Sequence, residues 1–118
     1  MILVDTSIWV DHLRAGDSEL VRRLGAREVL IHPFVIGEIA LGNLAQRQLI
    51  LGSMARLPHA VVATDDEVMR LIDDEPLHGQ GIGYVDAHLL ASCRLSRCRL
   101  RTRDKRLSLI ASAMQLAA

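Results

Sequence analysis

Four short apolar runs, separated by stretches with helical patterning, constrain this chain more than any other feature. They fall at residues 2–4 (ILV), 28–32 (EVLIH), 59–63 (HAVVA) and 97–102 (RCRLRT). Such runs read as buried strands. The last one differs: Cys98, Leu100 and Thr102 share one face, and Arg97, Arg99 and Arg101 the other. That period of two marks a strand with one open face, near a sheet edge. Helices are expected at 7–14, 18–24, 33–44, 47–56, 64–77, 84–95 and 104–115. Pro33 suits a first helical position, where its missing N–H is not needed. Thr64-Asp65-Asp66-Glu67 forms a capping box, which assigns Asp65 and Asp66 to helix initiation. The glycines of HGQGIG (78–83) mark a mobile loop.

Strands that alternate with helices pair in parallel through right-handed crossovers. The expected architecture is an α/β fold, a three-layer α/β/α sandwich around a central, mainly parallel sheet, with residues 1–118 forming one domain. A chain of 118 residues buries ~65% of its unfolded surface without needing staples. No apolar run is long enough for a signal peptide or a membrane span, so the expectation is a cytoplasmic protein with no membrane partner. Cys93 and Cys98 make neither a disulfide scaffold nor a zinc site, and read as reduced, partly buried thiols. The net charge is zero, but half of the 14 basic residues lie in one tract: Arg94, Arg97, Arg99, Arg101, Arg103, Lys105 and Arg106. Such a strip can track a phosphate backbone or be an ordinary solvated face; composition leaves both open.

Open α/β sheets bind ligands outside the carboxyl ends of their strands. Asp5 stands one residue past the first strand, and Asp104 holds the matching place after the fourth. Alone, each reads as a helix N-cap. If the two strands are neighbours, the carboxylates share one rim of the sheet. Glu38, in PFVIGEIALG, and Asp86, in YVDAHLLA, stand among apolar residues with no Lys or Arg three or four positions away. Burying an unpaired carboxylate costs several kcal/mol unless its pKa shifts or a cation joins it. A divalent ion would relieve the repulsion among such acids, and oxygen ligands suit Mg²⁺ or Mn²⁺.

DTSIW, GEIALG, YVDAHLLA and LRTRD, in that order, resemble the PIN-domain proteins, and among them the bacterial VapC-type toxins of toxin–antitoxin pairs. The resemblance covers essentially the whole chain. It implies a metal-dependent endoribonuclease that hydrolyses phosphodiesters in RNA, often structured RNA such as tRNA or rRNA, leaving 5′-phosphate and 3′-hydroxyl ends. It also implies that Asp5, Glu38, Asp86 and Asp104 hold Mg²⁺ or Mn²⁺, with Asp5 and Asp86 the most direct ligands. Thr102, Ser7 and Thr6 would support those acids by hydrogen bonding. Arg103 and Arg101 are candidates for the RNA backbone. The family's habits add a homodimer and a VapB-type antitoxin whose tail covers the acidic groove. The chain departs from the family pattern in three places. It ends QLAA soon after the last helix, so the final edge strand is very short or missing. Leu107 replaces an aromatic, and the strand at 97–103 is unusually polar.

The remaining residues carry structural expectations. His88, two past Asp86, reads as a surface or interface histidine. Trp9 and Tyr84 stand alone, and with aromatics at 3% there is no stacking platform for single-stranded RNA. Recognition would then rest on shape and phosphates. Part of the apolar surface at 34–57, with Val35, Ile39, Leu49, Ile50 and Met54, is expected at a dimer or antitoxin interface. Two rivals stand beside the nuclease. One is a phosphoacceptor receiver domain using Asp65, and the other an inactive RNA-binding module using the basic tract alone.

Overall fold

The first strand of the chain is the middle strand of the sheet. In the computed structural model, which describes residues 1–118, β1 (Ile2–Val4) lies between β2 (Val29–Leu30) and β3 (Arg99–Arg101), all parallel. Leu3 pairs with Leu30 on one side and Leu100 on the other. Seven helices surround this sheet: α1 (Thr6–Ala15), α2 (Ser18–Gly25), α3 (Pro33–Ala40), α4 (Arg47–Ala55), α5 (Asp65–Asp74), α6 (Tyr84–Ser96) and α7 (Lys105–Ala113). The α/β sandwich read from the sequence is therefore the fold. Because β1 and β3 are neighbours, the residues that leave their carboxyl ends emerge side by side.

The strand expected at 59–63 shrinks to a single bridge, and the final edge is a single bridge as well. His59 pairs with Ile31, but residues 60–63 form no strand. The backbone there is diverted: the Val61 amide donates to Ser96 Oγ at 2.8 Å instead of to a neighbouring strand. Only Ala60 and Ala63 of this run stay buried, while Val61 and Val62 face outward. At the other edge Ala117 bridges Leu100, held by Leu100 N–H to Leu116 O at 2.7 Å and Ala118 N–H to Leu100 O at 2.9 Å. The final edge strand is thus present but minimal. Helix α3 stops at Ala40 rather than running to Leu44, where Gly42-Asn43 offers poor helix formers.

Helix α6 explains much of the core. Its residues from Ala87 to Cys93 are all buried, as a helix apolar on every side requires. This overturns the surface reading of His88, which is 2% exposed. Its Nε2 lies 3.2 Å from Asp65 Oδ1, and Tyr84 donates its hydroxyl to the same carboxylate oxygen at 2.9 Å. Asp65 therefore ties α5 to α6 in addition to starting α5, where the Thr64–Glu67 capping box forms in both directions. His32 is fully buried and caps α3 by accepting the Phe34 N–H on Nδ1 at 3.0 Å. Burial, and then the nearby His88 and His59, pull its pKa down to about 4, which keeps Nδ1 free to accept. Both cysteines are free and buried.

Candidate active site: an acidic rim

Three helices begin at the carboxyl edge of the sheet, and each begins with an acid. Asp5 is the N-cap of α1: its Oδ1 accepts the Thr6 N–H at 2.8 Å. Asp104 is the N-cap of α7: its Oδ1 accepts the Leu107 N–H at 3.0 Å. Asp86, in the first turn of α6, accepts the Gly83 N–H on Oδ2 at 3.2 Å. Capping explains why the chain tolerates these residues, since orphan amides and the helix dipole both favour a carboxylate there. It uses one oxygen of each carboxylate. Oδ2 of Asp104 and Oδ1 of Asp86 accept no hydrogen bond.

Hydroxyls link Asp5 to the β3–α7 segment that carries Asp104, and Glu38 to the start of α1. Oδ2 of Asp5 accepts from Thr102 Oγ1 at 2.7 Å and from Ser7 Oγ at 3.0 Å. Thr102 Oγ1 in turn accepts the Asp104 N–H at 3.1 Å, and Ser7 Oγ accepts the Arg103 N–H at 3.1 Å. Thr6 Oγ1 donates to Glu38 Oε1 at 2.6 Å, which brings α3 to the same rim. Thr6, Ser7 and Thr102 thus each contact an acid directly.

None of the nine ion pairs in the molecule includes Asp5, Glu38, Asp86 or Asp104. Asp5 is 7% exposed and Asp86 half-buried, whereas Glu38 and Asp104 are exposed. The apolar neighbours of Glu38 therefore mislead about its burial: it projects from the open face of α3, and Val35 and Ile39 face the core. Burial, followed by the charges of Asp5, Asp104 and Glu38, pushes the Asp86 pKa above the ordinary carboxylate value against the Gly83 bond, which lowers it. The four acids feel one another electrostatically. No three carboxyl, thiol or imidazole groups converge into a ready-made metal cage.

The arginines named for RNA are otherwise engaged. Arg101 places both Nη atoms on Asp17, at 2.9 and 3.0 Å, and its side chain is 21% exposed. Arg103 binds Asp17 at 2.6 Å and Asp11 at 2.5 Å, with its side chain 48% exposed. Arg101 serves the fold rather than presenting a free cation, and Arg103 is committed twice. Asp17, which sequence reasoning missed, sits 5% exposed at the centre of this cluster and also caps α2 through the Leu20 N–H at 2.8 Å. Its place before SELVRRL signals the cap. Nothing local signals partners 84 and 86 residues away.

The receiver reading fails on this geometry. Asp65 ends no strand; it stands at the start of α5, where its Oδ1 takes contacts from Tyr84 and His88.

A parallel sheet with paired acids at its carboxyl edge defines the class. The PIN domain family matches residues 2–113, and the chain belongs to that family. Ribonuclease VapC32 of Mycobacterium tuberculosis, in both strain CDC 1551 / Oshkosh and strain ATCC 25618 / H37Rv, is 53% identical over 108 residues, which covers 91% of this chain and 87% of that protein. Within the family, the chain is therefore of the VapC type. The fold also superposes on FitAcB from Neisseria gonorrhoeae with a TM-score of 0.65 and 18% identity, over 95% of this chain and 94% of the other. PAE2754 from Pyrobaculum aerophilum gives 0.61 and 21%, over 92% and 78%.

Proposed function

We propose that this protein is the toxin of a type II toxin–antitoxin pair, an endoribonuclease that hydrolyses RNA phosphodiesters with the help of Mg²⁺ or Mn²⁺ at Asp5, Glu38, Asp86 and Asp104. The observation that carries the reading is the set of four acids at one rim, three of them capping helices and all four without a cationic partner. A hard divalent cation fits this donor set, which is all oxygen and offers unbonded carboxylate atoms on Asp86 and Asp104. When bound, such an ion lowers the pKa of a water and neutralises charge on the phosphate. Asp5 and Asp86 would be the most direct ligands, Asp104 would complete the set or bridge through water, and Glu38 would position a second ion or orient the attacking water. Thr102 and Ser7 fix the Asp5 carboxylate, and Thr6 fixes Glu38, so two of the four acids are oriented by their neighbours. The relative's name, Ribonuclease VapC32, supports RNA as the substrate.

The partners follow from the same reading. A cleft of about 620 Å³ runs from Glu38 past Val10, Leu13, Ile39, Leu44 and Ile50. Leu41 and Leu49 beside it are 89% and 62% exposed. We assign this apolar surface to a VapB-type antitoxin, whose tail would reach the acids from there, and assign the protein a homodimeric state in the cytoplasm. No helix of the chain is long and apolar enough to cross a membrane.

Cleavage of total bacterial RNA by the purified protein, with Mg²⁺ or Mn²⁺ and then with EDTA, tests the reading. Metal-dependent cutting that Asp5→Asn loses supports it. Cutting that survives EDTA and Asp5→Asn refutes the metal site. RNA binding that is indifferent to the four acids, with no cutting, leaves a binding module instead.

A further inference from the structure

Of the seven cations between residues 94 and 106, four are occupied. Arg94 pairs with Glu75, Arg101 and Arg103 pair with Asp17, and Arg99 donates to Ala117 O at 3.3 Å. Arg106 makes no ion pair and no side-chain hydrogen bond, yet its position is defined. It lies across Gly81: a Cβ there would collide with the Arg106 guanidinium and come within 2.9 Å of its Cδ. Gly81 also has φ +81, a left-handed conformation that already favours glycine. The absence of a Cβ at Gly81 is what lets the Arg106 side chain lie there.

That place is next to the acidic rim. Gly81 is two residues before Gly83, whose N–H binds Asp86, and Arg106 is two residues after Asp104 on the first turn of α7. Arg106 thus joins the two segments that present Asp86 and Asp104 without bonding either acid. Its location is not one that helix electrostatics favours, because a cation in the first turn opposes the dipole that the Asp104 cap complements. An RNA strand that approaches four carboxylates is repelled by them. A planar guanidinium with all its donors free can take a phosphate in a bidentate grip.

We propose that Arg106 binds a backbone phosphate of the RNA beside the acidic rim, with its guanidinium held over Gly81. The proposal rests on the nuclease reading above. It moves the substrate contact from Arg101 and Arg103 to the neighbouring helix.

The test compares wild type, Arg106→Ala, Arg106→Lys and, as an equal charge change on α5, Arg70→Ala. Cleavage of total bacterial RNA is measured with Mn²⁺, and Mn²⁺ binding by calorimetry. RNA binding against salt is measured for each change combined with Asp5→Asn. Arg106→Ala is expected to raise KM roughly tenfold and to reduce the salt slope by about one, with Mn²⁺ affinity unchanged. Arg106→Lys should recover part of the loss, and Arg70→Ala should match wild type. If Arg106→Ala behaves like Arg70→Ala while wild type cuts, the proposal fails and the nuclease reading stands. Lost Mn²⁺ binding in Arg106→Ala also overturns it, because the residue would then be acting on the acids. A wild type that neither binds nor cuts RNA removes both.

Discussion

Asp17 caps α2 and Asp86 stands in the first turn of α6, and the protein treats these two carboxylates in opposite ways. Asp17 accepts three hydrogen bonds from Arg101 and Arg103 and a fourth from the Leu20 amide. The bond from Arg101, then that amide, pull its pKa down to about 2. Asp86 receives one amide bond and no cation, and burial with three neighbouring acids pushes its pKa up. The chain therefore pairs a buried acid with two arginines and makes no ion pair to the rim acids. A charge that is neutralised internally holds the fold together. A charge left unpaired, at the carboxyl ends of parallel strands, is available for a ligand.

The contrast is broken most severely at the rim. Asp5→Asn or Asp86→Asn should lower RNA cleavage about a thousandfold while the circular dichroism spectrum stays that of the folded wild type. Cleavage that survives either change would return these acids to a purely capping role. The complementary change, Asp17→Ala, removes a buried partner from two arginines and a cap from α2. It should cost about 3 kcal/mol of stability by denaturant unfolding. Asp17→Asn keeps the cap and should cost less. The two sets of variants should separate cleanly, one failing in activity and the other in stability.

Part of this contrast could be read in the sequence. The rim acids follow apolar runs, and strand alternation alone puts the ends of β1 and β3 on one side. The sequence posed cap and ligand as alternatives for Asp5 and Asp104, whereas a cap occupies one oxygen and leaves the other. The Asp17 cluster was invisible because its partners are 84 and 86 residues away. The same distance hid the fate of the basic tract: alternating arginines on a strand face look solvated until a buried acid meets them. The run at 59–63 misled for another reason. Its apolar residues suit a strand, but Ser96, far along the chain, captures the Val61 amide.

Acid titration sharpens the comparison, since the two carboxylates have opposite signs. The folded pKa of Asp17 lies below its unfolded value of 3.8. Its contribution is thus full above that value and lost as the pH falls through about 2. Wild type should lose stability across that window, and Asp17→Asn should show a flatter acid limb in thermal unfolding.

Asp86 carries the smallest effect and the most informative sign. Its folded pKa is raised, so the protonated form favours the native state. That contribution is full below the unfolded value of 3.8 and is lost as the pH rises through the higher folded value. At neutral pH the ionised Asp86 is therefore a net cost to the metal-free protein. Asp86→Asn should accordingly raise the metal-free melting temperature at pH 7, a gain that shrinks toward pH 4. Mn²⁺ should reverse the ranking, because an ion that binds only the native state stabilises wild type in proportion to ln(1 + [L]/Kd), and the variant loses a ligand. If Asp86→Asn melts lower than wild type without metal, the capping bond from Gly83 outweighs the repulsion. Asp86 would then belong with Asp17 among the acids that hold the fold.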